Sequence, residues 1–388
     1  MHSTPAVTAR ICALSAALLL AGGLAVAACS SSATPAATGH LTASKFSSYL
    51  HRFRYVSQLA STVPASGDVN PYGVVVAAES TGKLVRGDIL VSNFNDKANV
   101  QGTGTTIMEV APDGQVSQFA RIGSLPSGMK CPGGVGLTTA LTILPGGWVV
   151  VGSLPTTAGG TLPADNPLGC LIVLNSQGTP VETWTNQQIN GPWDLTAEAA
   201  SGHASLFVTD VLTRPATATG VPAQTGLCDV SRIDVSLSGS MPRMTSVTVI
   251  GAGFPWQQNK AALIQGPTGD AISPAGTLYV ASTLTNSIAA IPDALTRTTA
   301  VTPAGHTLTS GGALSGPLGL TWTPVGDLIA VNGNNGNAVE ISLAGRQIAT
   351  ATLVPDGAGD LFGVVPSPDG QGLLFVNDGT NALDLLSG

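Results

Sequence analysis

Carboxylates and amides at the ends of apolar runs are the residues best equipped for chemistry in this chain. Asn93, Asp96, Asp210, Asn332, Asn377 and Asp378 each follow such a run. Asp194 and Asp270 lie in short segments that begin at a Pro or Gly turn, and the aromatics Tyr72, Trp193 and Phe362 occupy matching places. Oxygen donors beside aromatic rings suit a sugar, a peptide or another small polar ligand. Converging carboxylates would also suit a divalent cation such as calcium, which takes oxygen ligands. Taken singly, an Asn or Asp at a strand end most often closes a turn on backbone amides, and a Trp or Phe there most often packs.

Groups for acid–base or nucleophilic catalysis are sparse. Beyond the first fifty residues the histidines are His51, His203 and His306. Ser201-Gly202-His203 reads as a solvated hairpin turn, and His306 is expected nearer the binding mouth but without a partner. The nucleophile elbow Gly-Xaa-Ser-Xaa-Gly is absent. Gly251-Ala252-Gly253, followed by Phe254-Pro255-Trp256, lacks the strand-to-helix setting of a nucleotide loop and reads as a plain loop. No catalytic residue and no cofactor is assigned.

These residues are positioned by a repeat. A Pro or Gly turn, an apolar run, a polar turn and a second apolar run recur in about six units, beginning near Pro71, Val135, Pro192, Pro267, Pro317 and Phe362. Forty-eight glycines, 26 prolines and 10% charged residues suit many short strands joined by turns. Runs such as Leu278-Tyr279-Val280 and Leu374-Phe375-Val376 are apolar throughout, as expected of strands covered on both faces. The expectation is an all-β chain: a six-bladed β-propeller of four-stranded antiparallel blades. The last unit stops after its third strand. Val56-Ser57-Gln58-Leu59-Ala60 nearly repeats Val116-Ser117-Gln118-Phe119-Ala120, so it is expected to supply the missing outer strand and close the ring. Ser44 to Arg52 just before it is expected to form a short helix capped by Ser44.

In such a blade the loop into the first strand and the loop between the second and third strands share one face. The long segments fall there: Phe94 to Gly104, Leu154 to Gly169 and Val211 to Gly226 between strands, and Pro126 to Gly134 and Gly253 to Gly266 leading into blades. A lobe of loops over half the ring mouth follows, and this is the expected binding face. Cys131 and Cys170 both lie on that face of the second blade. They are the preferred disulfide, though Cys228 leaves three pairings open.

The chain's start carries an address. Arg10 and the apolar stretch Ile11 to Ala28 read as an export signal spanning 1–28, and Val26-Ala27-Ala28-Cys29 looks like a bacterial lipobox with Cys29 as the lipidated residue. A Ser/Ala/Thr-rich tether over 29–45 then leads to the propeller at 46–388. No later run approaches the ~18 apolar residues of a spanning helix. The chain is therefore expected in the cell envelope, outside the cytoplasm, held to a membrane through lipid on Cys29. A net charge of −7 argues against nucleic acid as a partner.

Three units carry a more specific pattern: Leu278-Tyr279-Val280-Ala281-Ser282 before Asn286, Ile329-Ala330-Val331-Asn332 before Asn337, and Leu374-Phe375-Val376-Asn377-Asp378 before Asn381. This sequence of apolar strand, acid or amide, and Asn opening the next strand resembles the NHL-repeat propellers. A weaker similarity is to propellers of the gluconolactonase and regucalcin type, which would imply a central divalent metal, although their metal ligands have no residue-by-residue match here. The expected function is non-enzymatic binding of a small molecule, glycan or partner protein by the long-looped face. A metal-dependent hydrolase or lyase and a purely structural envelope protein are the alternatives.

Overall fold

The computed structural model describes residues 48–163, 168–212, 225–259 and 263–388. The export signal, the tether with Cys29, and Ser44 fall outside them. Six antiparallel sheets succeed one another along the chain. Their innermost strands are Val69–Val76, Leu137–Leu144, Pro192–Ala200, Pro267–Ile272, Pro317–Trp322 and Leu361–Pro366. Each packs against the innermost strand of the next blade, and the last against the first, so the sheets form a closed six-bladed propeller.

The apolar runs became strands for the expected reason. Leu278–Ser282 and Leu328–Asn332 are buried at every position, whereas the outer strand Val116–Arg121 is largely exposed. A belt of hydroxyls joins the blades. Ser92 Oγ donates to the Thr138 carbonyl at 2.8 Å, Thr139 to the Trp193 carbonyl, Thr209 Oγ1 to the Thr268 carbonyl at 2.6 Å, and Thr283 Oγ1 to the Pro317 carbonyl at 2.8 Å. The Asn of the repeated pattern fastens loops in the same way. Asn286 and Asn381 open third strands with left-handed backbone (φ 48° and 51°), and their Oδ1 atoms accept the amides of Gly316 and Asn70 at the start of the following blade.

Closure occurs where the repeats required it. Tyr55–Ser61 pairs antiparallel with Ala382–Ser387, Val56 opposite Leu386 and Ala60 opposite Leu383, so the sixth blade gains its outer strand from the other end of the chain. The preceding residues wedge between the fifth and sixth blades, where Tyr49, Leu50 and Phe53 are buried with Ile329, Val331 and Phe375. Among the described residues of that segment, Leu50–Arg52 form a single 3-10 turn, and Tyr49 before it makes no side-chain cap. Among the described residues no helix is long and apolar enough to cross a membrane.

Two expectations are corrected. The described part of Gly253 to Gly266 is mostly strand and not a loop: the outer strand of blade three continues into it as Arg243–Asn259, paired with Thr225–Ser236, and Leu263–Gln265 adds a fifth strand, while 260–262 lie outside the described residues. Register shifts at Cys228/Asp229 and Val230/Ser231 let this long ribbon bend with Gly251 to Gly253 inside it, which is why its glycines resembled a loop. His306 starts the outer strand of blade four opposite Ala290, near the end of a third strand that leaves the looped face, so it lies exposed on the far face.

Candidate functional site

The innermost strands enter from the looped face and run down the ring axis. Their first residues fill the mouth. Tyr72 stacks on Phe94 (centroids 4.3 Å apart) and on Phe362 (4.1 Å), and Trp193 leans on Tyr72 at 5.4 Å. None of these four is more than 3% exposed. Tyr72, Trp193 and Phe362, expected to line the mouth, instead plug it, because together they remove large apolar surfaces from water. Leu154, Val211, Leu212, Trp256, Leu263 and Ile264 belong to the same cluster, so the residues that follow the second strands of blades two and three, and the ribbon, pack on the plug; of the expected loop Val211 to Gly226, 213–224 lie outside the described residues.

One residue further down, the strands nearly touch. A side chain on Gly319 would meet the Phe362 carbonyl, and one on Gly363 the Tyr72 carbonyl, so glycine is what lets these backbones converge. In blades three and four the neighbouring positions are Asp194 and Asp270. They face a cavity of about 180 Å³ in the channel, with Leu141, Leu195, Leu320 and Val364 on its walls. Asp194 accepts the amides of Leu195 (2.9 Å) and Asp270 (3.2 Å). Burial raises its pKa to about 7 even so, the two amides lowering it in part. Asp270 is 4% exposed, and neither of its oxygens has a hydrogen-bond partner. Burial, then the Asp194 charge, holds its pKa well above the carboxylate range. The Thr196 amide eases this without forming a well-made bond.

The other acids and amides make structure. Asp210 Oδ1 accepts the amides of Asn190 (3.0 Å) and Gly191 (3.1 Å), and burial raises this acid as well. Asn332 accepts the Ser315 amide at 3.0 Å and donates to the Ala313 carbonyl at 2.8 Å. Asn93 donates to the Thr62 carbonyl at 2.9 Å, and Asn377 to Asp384 Oδ2 at 2.8 Å. Each sits at the end of a second strand and ties down a neighbouring loop or strand. Asp96 closes its own loop on the amides of Ala98 and Val100. Asp378, half-buried, is pushed up to about 6 by burial and by nearby Asp360. The structure thus brings Asp194 and Asp270 together at one cavity and distributes the rest around the ring.

A second opening lies among the long loops. It has a volume of about 390 Å³ and is lined by Gln101 of blade one, Gly160 to Leu162 of blade two, and Gln258, Asn259 and Leu263 of the ribbon. Thr156 Oγ1, donating to the Gly102 carbonyl at 2.5 Å, holds the first two loops together. The Cys131–Cys170 disulfide (Cα atoms 5.3 Å apart) ties the loop leading into blade two to that blade's third strand. Cys228 is buried in blade three. Gln258 and Asn259 escaped the sequence reading because the ribbon carrying them resembled a loop. Among the described residues, no group of three His, Cys, Asp or Glu could hold a metal ion.

No family profile matches this sequence, and no curated relative does. Solved structures do. A gluconolactonase of Xanthomonas campestris is 15% identical, over 87% of this chain and 90% of its own, with a TM-score of 0.51. Virginiamycin B lyase of Staphylococcus aureus is 12% identical, over 86% and 99%, with a TM-score of 0.50. The calcium-binding protein regucalcin of Agrobacterium tumefaciens is 15% identical, over 85% and 94%, with a TM-score of 0.49. At such identities the likeness is one of fold, and it is a six-bladed β-propeller, the architecture that the NHL-like pattern also implied.

Proposed function

We propose that this chain is a lipid-anchored, extracytoplasmic propeller that binds a small polar ligand of glycan size, without turning it over, in the cleft where the loops of blades one and two meet the ribbon of blade three. The observation that carries this reading is the cleft itself. Gln101, Gln258, Asn259 and Thr161 line it together with Leu162 and Leu263, in about 390 Å³. A mixed lining of polar and apolar side chains suits the hydroxyls and C–H faces of a sugar. The disulfide and the plug beneath supply a rigid base, which keeps the ordering cost of binding low. A structural envelope protein would have no need of such an opening.

The hydrolase or lyase reading would draw on Asp and Asn residues converging on the channel, where Asp194 and Asp270 alone of the expected set meet; with the structural neighbours only the fold is shared. Its metal would need ligands gathered at the channel mouth, and the mouth is filled by Tyr72, Phe94, Trp193 and Phe362.

A mono- and oligosaccharide panel, screened by ligand-observed NMR, tests the reading. Saturable binding should weaken at least about tenfold in Gln258→Ala and vanish in Leu162→Trp, which fills the cleft. Binding untouched by both substitutions would move the ligand elsewhere. The anchor is tested separately: Cys29→Ser should release the protein from membranes, and retention of that variant would refute lipid attachment.

A further inference from the structure

The seam that closes the ring leaves a cavity on the far face, between blade six and blade one. Turns joining first to second strands, and third to outer strands, emerge on that face, and two of them flank the cavity, at Pro368-Asp369 of blade six and at Pro112 of blade one. Its volume is about 650 Å³, against about 180 Å³ for the channel and about 390 Å³ for the loop cleft, and it shares no residue with either. Its surface is mainly apolar. Leu59 of the closing strand and Leu385 of the strand it pairs with are half-buried there, Pro112 and Pro368 are exposed, and Phe53 backs them. An apolar cavity of this size, open to water and edged by a few polar groups, is the kind that takes a ligand.

Two opposite charges stand at one end of it. Arg52 and Asp369 both line the cavity and are both exposed. Both act on the Tyr49 phenol, which burial pushes up to about 12 while Arg52 opposes and Asp369 adds to the rise. Arg52 Cζ lies 5.7 Å from the centre of the Tyr49 ring. The ion pairs among the described residues are Arg232–Asp234 and Arg297–Asp293, so neither Arg52 nor Asp369 has a direct partner of opposite charge. Asp369 Oδ1 accepts the Ser367 hydroxyl and, at 2.9 Å, the Gln371 amide, bonds that hold this acid below the usual carboxylate range and leave Oδ2 for a further donor. An alkyl chain alone would leave both charges unanswered, and a wholly polar molecule would leave the apolar surface in water. A phosphate and an ammonium at the end of one alkyl chain answer all three. Arg52 presents a planar fork to phosphate oxygens, Asp369 accepts an ammonium N–H, and the chain covers Leu59 and Leu385. The volume equals that of roughly twenty waters, which admits one chain with its head and not two.

We propose that the cavity at the closing seam binds a single-chain zwitterionic phospholipid, a lysophosphatidylethanolamine, with its phosphate on Arg52, its ammonium on Asp369 and its acyl chain along Leu59 and Leu385. The site rests on this geometry alone and holds whether or not Cys29 carries lipid.

The test is isothermal titration of the full chain carrying Cys29→Ser, handled without detergent, with lysolipids kept below the concentrations at which they form micelles. Dodecanoyl lysophosphatidylethanolamine should bind saturably, and its decanoyl homologue, two methylenes shorter, at least about fivefold more weakly. Dodecanoylglycerol, which has the chain and no charge, should bind about tenfold more weakly. Arg52→Gln should weaken the dodecanoyl lysolipid about fivefold. Asp369→Asn should abolish the parent's preference, about threefold, for an ethanolamine over a glycerol head on the same phosphate. Both side chains are exposed, so an unchanged melting temperature separates lost binding from lost fold. No saturable heat, equal binding of the two chain lengths, or affinities indifferent to both substitutions would overturn the proposal. A failed saccharide screen leaves it standing, since the seam and the loop cleft have no residue in common.

Discussion

Glu340→Ala should loosen the segment that leads into the strand closing the ring. Glu340 lies on the third strand of blade five, fully buried, and its carboxylate receives the Tyr49 amide at 2.7 Å, the Leu50 amide at 2.9 Å and the Ser48 hydroxyl. Those donors belong to the segment that leads directly into the closing strand. Alanine removes every acceptor and strands two buried amides, while Tyr49 keeps one tie through its hydroxyl to the Gly372 carbonyl at 2.7 Å. Each abandoned amide costs about 1–3 kcal/mol. Removing a charge that helps raise the pKa of nearby Asp327 returns a little. The net loss is about 4 kcal/mol. Unfolding entropy near 2.1 cal/mol/K per residue over roughly 340 folded residues makes 1 kcal/mol equal to about 1.4 °C, so the melting temperature should fall by about 6 °C. Glu340→Gln keeps one acceptor oxygen and should fall by about half as much. Calorimetry measures both, and hydrogen exchange at Tyr49, Leu50 and the strand Tyr55–Ser61 should quicken before that of blades two to four. A melting temperature within about 1 °C of the wild type, with unchanged exchange at Tyr49 and Leu50, would refute the latch.

Two further perturbations probe the waist and the channel. Gly319→Ala places a Cβ against the Phe362 carbonyl where two innermost strands converge, so it should destabilise by several times the ~1 kcal/mol of an ordinary glycine replacement, read as a lower urea midpoint. An unchanged midpoint would mean the blades can move apart freely. Lowering the pH from 8 to 5 should raise the melting temperature through Asp194 and Asp270. Their folded pKa values lie above the unfolded one, so the folded chain binds more protons between these limits and the stabilisation fades as pH rises through the folded values, about 7 for Asp194. Asp270→Asn should flatten that slope, and an equally steep slope in the variant would show that other groups produce it.

Much of the architecture was legible because its signals are local. Pro and Gly turns at regular spacing, runs apolar at every position and the echo of Val116–Ala120 in Val56–Ala60 led to six blades and to the pairing of Val56 with Leu386. The disulfide was legible too, since topology put both cysteines on one face of one blade. The ribbon of blade three was not. Its glycines and proline signal a turn by composition, whereas pairing with Thr225–Ser236 supplies the hydrogen bonds that make it a strand.

The sequence by itself determined the blade, its repetition and the way the ring is fastened, because a strand's alternation and a turn's dihedral preferences are set by neighbours along the chain. Tertiary structure decided what the blades enclose. That Tyr72, Phe94, Trp193 and Phe362 seal one mouth, and that Asp194 meets Asp270 across 76 residues, follows only when innermost strands converge on a common axis. An acid's character there depends on the water and partners that convergence takes away, and no stretch of the chain carries that information alone.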